Sequence, residues 1–356
     1  MFVSALSTRE ATASGLMCDD PAAVCAWLRS QGECVGGDVT IARVGFGQSN
    51  ITTIVTASDG AEWVLREPPP GGHAQSAHDV AREARIMSSL ADSGIPVPRV
   101  IGTGTTAAGA RFFVMERVPG APLESEHDAA ELTPEHRHEL GVHVIHALAH
   151  LHTLDPRSVG LSDLAPTTPV PYLERQIRRM STTWDRVGLA SNHDVVWHEA
   201  RSRLTAGMPA SPPPVVIMHG DFRLSNLLVQ APRITAVLDW ELCTLGDPLA
   251  DLAWLLDDWR QPDEEAISMP SPTRAGGFPD RASMVEEYCR ETGFSIDRIS
   301  YYRGFSQWRA ATLLQGVVAR RSSGVLGTHG QLDLDLLYDS IATLLAAAVS
   351  DLQVAT

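Results

Sequence analysis

Lysine is absent from all 356 residues, so each of the 28 basic side chains is an arginine. Any role that an ammonium group would fill must fall to a guanidinium, which is planar and forked. Basic runs are missing too, and 43 acidic residues bring the formal net charge to -15 at pH 7. Such a chain repels a phosphate backbone, which argues against nucleic-acid binding and equally against an anionic membrane surface. No apolar run approaches the length of a membrane span, and the opening MFVSALSTRE has no basic stretch leading into an apolar core. The five cysteines (Cys18, Cys25, Cys34, Cys243, Cys289) form no CxxC pair. That spacing argues against a disulfide framework or a zinc knuckle, and a reducing cytoplasm is the expected location. No internal repeat is visible.

What is present is ordinary in amount: 44% hydrophobic and 20% charged residues, in a chain long enough for two lobes with separate cores. Asp20 and Pro21 open a short helix. Three strand-like runs follow, VTIARVGF, NITTIVTA and AEWVLRE, the last two joined by the turn SDG. DVAREARIMSSLADSG has helical spacing and ends at a glycine. PVPRVIGT and RFFVMERV then read as two further strands, up to about Val118. Beyond them the pattern turns helical, from Thr133 to His152, in PYLERQIRRMSTTWDRVG and in NHDVVWHEARSRL. The short apolar runs VVIMHGD, NLLVQ and ITAVLDWE interrupt it, and four more helical stretches complete the chain. The expected architecture is α+β, a small antiparallel-sheet lobe at 1–117 followed by a larger helical lobe at 118–356, with a cleft between them.

The stretch VVIMHGDFRLSN ends an apolar run in polar groups, with Asp221 and, five positions on, Asn226. Thirteen residues further, LDWE carries Asp239. An acid, an amide and a second acid in this order resemble the phosphoryl-transfer constellation of the aminoglycoside phosphotransferase and choline kinase family, whose fold is bilobal and kinase-like. The resemblance implies Asp221 as the group that orients an acceptor hydroxyl and takes its proton. It implies Asn226 and Asp239 as hard oxygen ligands for Mg²⁺ beside ATP phosphates. Arg223 stands where protein kinases keep a lysine facing the transferred phosphate, and His219 is expected to hold the loop by hydrogen bonds. The alternative is a plain turn at HGD with Asn226 and Asp239 capping neighbouring elements.

In the small lobe, VGFGQSN sets Gly45 and Gly47 between two strands, where backbone N–H groups can approach phosphate, and Ser49 and Asn50 follow as in one branch of the family. Arg66 in WVLRE stands where kinases keep a lysine on the α and β phosphates, and Glu83 in REARIM fits its acidic partner. Arginine there departs from the usual lysine, although its fork can bind phosphate bidentately. FFVMERV resembles the hinge, with Met115, Glu116 and Val118 near the adenine. A surface ion pair at 66 and 83 is the plainer alternative.

His143, His146 and His150 share one helix face but lack the glutamate of an HExxH, so half-buried helix positions are expected rather than a metal site. Asp247 and Asp251 open a helix and can cap it; the resemblance suggests that Asp247 also braces the catalytic loop. That helix follows Asp239 almost at once, leaving no activation segment on which to lay a peptide, so the acceptor should be a small-molecule alcohol. Arg309 and Arg320 share a helix face and suit an anionic acceptor; a solvated arginine face is the alternative. Nearly the whole chain resembles the phosphotransferase domains joined to or beside acyl-CoA dehydrogenases, which implies a hydroxyacyl-CoA as acceptor. Two other readings stay open: phosphorylation of an aminoglycoside or other cationic alcohol, and a nucleotide-binding regulatory module without turnover.

Overall fold

Asp20 starts the first helix as its position before a proline suggests. In the computed structural model its side chain accepts from the amide of Ala23, and α1 runs over Pro21–Ser30. The structure describes residues 17–44, 50–69, 79–106, 108–166, 170–187, 192–210, 214–322 and 333–354. The chain divides into two units, Met1–Ala91 with Pro98–Val118, and Asp92–Val97 with Pro119–Thr356.

Among the described residues, the first unit is an antiparallel sheet with two α-helices. Strands β1 (Val39–Val44), β2 (Ile51–Ala57), β3 (Glu62–Glu67), β4 (Val100–Thr105) and β5 (Arg111–Glu116) lie in the order β1-β2-β3-β5-β4. The meander arises because SDG can turn: Gly60 adopts φ 89°, open to glycine at no steric cost. Strand β3 is central, flanked by β2 and β5. One face packs Val55, Trp63, Leu65, Phe112 and Val114 against Val24 and Leu28 of α1. Helix α2 (Val80–Leu90) buries Val80, Glu83, Ala84, Met87 and Leu90, so Glu83 occupies a stripe that is otherwise apolar.

The second unit contains α3 (Glu126–Ala130), α4 (Pro134–Thr153), α5 (Tyr172–Val187) and α6 (Asp194–Ala206). Four short strands follow: β6 (Val216–Met218), β7 (Leu227–Gln230), β8 (Arg233–Val237) and β9 (Thr244–Gly246). Then come α7 (Pro248–Asp258), α8 (Arg281–Thr292), α9 (Ile299–Ser322) and α10 (Leu334–Val354). Strand β6 pairs with β9, and β7 with β8, all antiparallel. Helix α9 is buried on nearly every side from Tyr301 to Val318, and its buried polar residues include Gln307, Arg309 and Gln315 beside the apolar ones. Indoles from three helices pack at its middle: Trp184 stacks on Trp197 at 4.8 Å, and Trp197 lies tilted against Trp308 at 4.9 Å. The order of elements matches the sequence reading except at α3 and β9, where five and three residues are too few to show a periodicity.

Candidate active site

The apolar run VIM is wholly buried as β6, and the chain must turn sharply at its end to bring the next residues out. Gly220 makes that turn at φ 88°, and a Cβ there would lie 2.8 Å from the carbonyl oxygen of Leu242. Two backbone amides exposed by the bend find one acceptor. The Asp251 carboxylate accepts from the N–H of His219 at 2.6 Å and of Gly220 at 2.8 Å. Burial opposes its charge, yet the hydrogen bond from His152 and the Gly220 amide outweigh it and hold the carboxyl below its ordinary range. Asp247, expected to brace this loop, does not do so. As the N-cap of α7 it accepts from the Leu249 amide at 3.1 Å, and its other oxygen accepts from the Tyr302 hydroxyl. Burial pushes its carboxyl up to about 6, against the lowering effect of those two donors.

His219 is a bridge. Its Nε2–H donates to the carbonyl of Leu238 at 2.9 Å, because a carbonyl can only accept. Its Nδ1 therefore accepts the Asp221 amide at 3.2 Å, and no ring nitrogen is left to act as a base.

Asp221 is half-buried, and both of its carboxylate oxygens are held. Oδ1 accepts from Nε1 of Trp254 at 2.7 Å and Oδ2 from Nδ2 of Asn226 at 2.9 Å. The same Asn226 nitrogen donates to the Asp221 carbonyl, which turns its Oδ1 away from the aspartate. Pairing of β7 with β8 then does the rest. The Leu238 amide donates to the Asn226 carbonyl at 2.8 Å, so Asp239 directly follows the residue paired with Asn226. Asp239 itself adopts φ 64°, the one non-glycine residue with positive φ among those described. A left-handed aspartate is uncommon and marks a constrained position. An amide oxygen and a carboxylate are hard donors of the kind Mg²⁺ takes, so the residues present fit that ion.

Helix α7 reads the loop along one face. Asp251, Trp254 and Asp258 stand at i, i+3 and i+7 and meet His219 with Gly220, Asp221 and Arg223 in turn. Asp258 lies 3.1 Å from the Arg223 guanidinium, so Arg223 is anchored to α7. Burial raises the Asp258 carboxyl to about 6; Arg223 works against the rise and Asp221 adds to it. Arg309, buried on α9, donates to the Gly220 carbonyl at 3.1 Å and lies 4.3 Å above the Trp254 ring. A cavity of about 350 Å³ opens beside these groups, lined by Asp221, Arg223, Trp254, Arg309, Leu313 and Arg320 among others. The two arginines named from sequence thus share one cavity with the aspartate named as the base.

In the first unit Arg66 donates to Glu83 at 2.8 Å, and both side chains are buried, at 9% and 1% exposure. Burial removes the plainer reading of a surface pair. Met115 is buried on β5, Glu116 accepts from the Arg99 amide at 3.0 Å, and Val118 is half-buried just beyond the strand. Asn50 is buried, and neither of its side-chain polar atoms bonds to another of the described residues. Gly45, Gly47 and Ser49 lie outside the described residues.

Of the histidines on α4, the three named from sequence go separate ways, His143 to the Pro232 carbonyl, His146 to Glu287 and His150 to the Ser93 carbonyl. Trp254 and Asp258 were not legible as site residues. Their spacing from Asp251 was the available signal, but it is the same spacing that any buried helix face shows.

A family model for the phosphotransferase enzyme family matches residues 40–298. The chain belongs to that family. It is 31% identical over 319 residues to acyl-CoA dehydrogenase family member 10 of Mus musculus, covering 86% of this chain and 29% of that one. Against acyl-CoA dehydrogenase family member 11 of Homo sapiens it is 30% identical, covering 86% and 39%. The chain therefore spans between about a quarter and two fifths of the length of these relatives. An aminoglycoside 3'-phosphotransferase of Streptomyces fradiae is 31% identical over 52% of this chain and 66% of its own. Among solved structures, one from Ralstonia eutropha, provisionally assigned as an aminoglycoside phosphotransferase, superposes with a TM-score of 0.73 at 27% identity, covering 94% of this chain and 98% of that one. The fold is the kinase-like fold of the aminoglycoside phosphotransferases.

Proposed function

We propose that this protein is an ATP- and Mg²⁺-dependent phosphotransferase acting on a small-molecule hydroxyl, with a hydroxyacyl-CoA as the preferred acceptor. The observation that carries the reading is the Asp221 carboxylate, held at both oxygens on the wall of a cavity that also takes in Arg309 and Arg320. An acceptor hydroxyl in that cavity would donate to Asp221 and lose its proton there as its oxygen bonds to the γ-phosphorus. The bond from that phosphorus to the β–γ bridging oxygen breaks, and ADP leaves. Asn226 and Asp239 would hold Mg²⁺, which when bound neutralises charge on the phosphates. Arg66, steadied by Glu83, would grip the α and β phosphates, with the segment from Gly45 through Gly47 and Ser49 to Asn50 contributing further contacts. Backbone groups around Met115, Glu116 and Val118 would meet the adenine.

The choice of acceptor rests on charge. Three arginines line the cavity against the single acid Asp221, which favours an anionic acceptor over a polycationic one. Leu313 and Val317 of α9 add apolar surface suited to an acyl thioester. Similarity to acyl-CoA dehydrogenase family members supports the same choice and suggests an acyl-CoA dehydrogenase acting in the same pathway. A cytoplasmic setting belongs to this reading and agrees with five free cysteines.

The test offers 4-hydroxyacyl-CoA thioesters and aminoglycosides side by side with ATP and Mg²⁺ and reads the products by mass spectrometry. One phosphoryl group gained by the thioester, and none with Asp221→Ala, is the expected result. A gain on the aminoglycoside alone would overturn the acceptor and keep the mechanism. Nucleotide binding with no phosphorylated product across a broad alcohol panel would favour a regulatory module instead.

A further inference from the structure

A carboxylate that must receive a hydroxyl proton works only if its free lone pairs face the hydroxyl. Two features on α7 and α9 bear on how Asp221 is aimed. The indole of Trp254 is a donor only, and its single N–H is spent on Asp221 Oδ1 at 2.7 Å. With Asn226 on Oδ2, rotation about the Cβ–Cγ bond is blocked from both sides. The indole is in turn fixed from above: the Arg309 guanidinium lies 4.3 Å from the ring centroid and ties itself to the Gly220 carbonyl. Gly220 immediately precedes Asp221, so one arginine secures both the backbone that carries the carboxylate and the ring that orients it. Trp254 is 6% and Arg309 9% exposed, so both belong to the wall and neither is a mobile arm.

We infer that Trp254 aims the Asp221 carboxylate and that Arg309 acts through Trp254 and Gly220, making both positioning residues of the phosphoryl-transfer site. This rests on Asp221 being the base. It predicts that loss of the indole N–H lowers the rate of the chemical step without loosening either substrate.

Trp254→Phe keeps a ring beneath Arg309 and removes the N–H alone. In full-length protein labelled with ¹⁵N-tryptophan, the signal missing from this variant is that of Trp254. The expected result is that this signal moves in Asp221→Asn while the other indole signals stay, and that it also moves in Arg309→Met. With ATP, Mg²⁺ and a 4-hydroxyacyl-CoA, Trp254→Phe should lower kcat about tenfold or more and leave both KM values within about twofold. A Trp254 signal indifferent to Asp221→Asn would overturn the inference, as would an acceptor KM that rises while kcat holds. If Asp221→Asn itself keeps full turnover, the base assignment fails, and the inference with it, even though the spectrum still reports the contact. The spectrum needs no acceptor, so it decides the contact whatever the substrate proves to be.

Discussion

The carboxylate of Asp258 lies 3.1 Å from the guanidinium of Arg223, seven residues along α7 from the aspartate that binds the loop amides. Its carboxyl is nonetheless raised, because burial costs the charge more than Arg223 returns. The folded protein therefore holds a proton on Asp258 up to about pH 6, whereas the unfolded chain releases it near the usual carboxylate value.

That difference fixes the sign of a pH effect. Between these values the native state binds more protons, so the contribution of Asp258 to stability is fully present below about pH 4 and is lost as pH rises through about 6. Asp258→Asn cannot titrate. Urea unfolding should show the wild type losing on the order of 2 kcal/mol relative to this variant between about pH 4 and pH 7. A stability difference that stays flat across that range would refute the assignment.

Asp251 titrates with the opposite sign. Its carboxyl is held low, so its contribution is present above the ordinary carboxylate value and is lost as pH falls through the lower folded one. Asp251→Asn puts an NH₂ group where two backbone N–H groups and His152 already donate. It should cost about 3–5 kcal/mol at neutral pH, the scale for breaking a buried charged network. The same urea series checks this, and a cost under about 1 kcal/mol would mean that the loop is braced elsewhere.

Much of this was legible in the chain and some was not, for identifiable reasons. Alternation in ITTIVTA marks a strand because one face of the sheet packs on α1, whereas the short apolar run in EWVLRE marks the central strand, buried from Trp63 onward. HGDFRLSN and LDWE mark the loop because the chemistry requires an acid, an amide and an acid. The brace was misplaced by one helical turn. Asp247 and Asp251 are four residues apart, on one side of the same helix, and sequence cannot tell which of them the cap consumes. Trp254 and Asp258 were hidden for a related reason, since their partners come from another segment and no periodicity records a contact across segments. Arg309 was read for its charge, while its place against Gly220 and Trp254 depends on how α9 packs on α7.

Two glycines with nearly the same backbone angle separate strain from collision. Gly60 has φ 89° with open space around the missing Cβ, whereas Gly220 has φ 88° with the Leu242 carbonyl 2.8 Å from it. Gly60→Ala should cost about 1 kcal/mol, the penalty of left-handed backbone alone. Gly220→Ala must also displace Leu242 or the loop, and should cost about 2–4 kcal/mol and abolish turnover. Thermal melts of the two variants make the comparison, and equal costs would show that the loop gives way freely.

Burial, and not distance, should decide the worth of two ion pairs. Arg66 and Glu83 meet at 2.8 Å with side chains 9% and 1% exposed, while Arg178 and Glu174 meet at 2.9 Å with side chains 71% and 44% exposed. Glu174→Gln removes a screened attraction between two flexible side chains one helical turn apart, worth about 0.3–0.5 kcal/mol. Glu83→Gln withdraws a negative charge from beside a largely buried guanidinium, and the cost should be about 3–5 kcal/mol. Urea unfolding of both variants at low and high salt provides the check. Salt should erase the small effect and leave the large one, because ions screen the exposed pair and cannot enter the buried one. Equal losses, or a Glu83→Gln effect that salt removes, would show that Glu83 does not hold Arg66 firmly and weaken the proposed role of Arg66 as a preset phosphate grip.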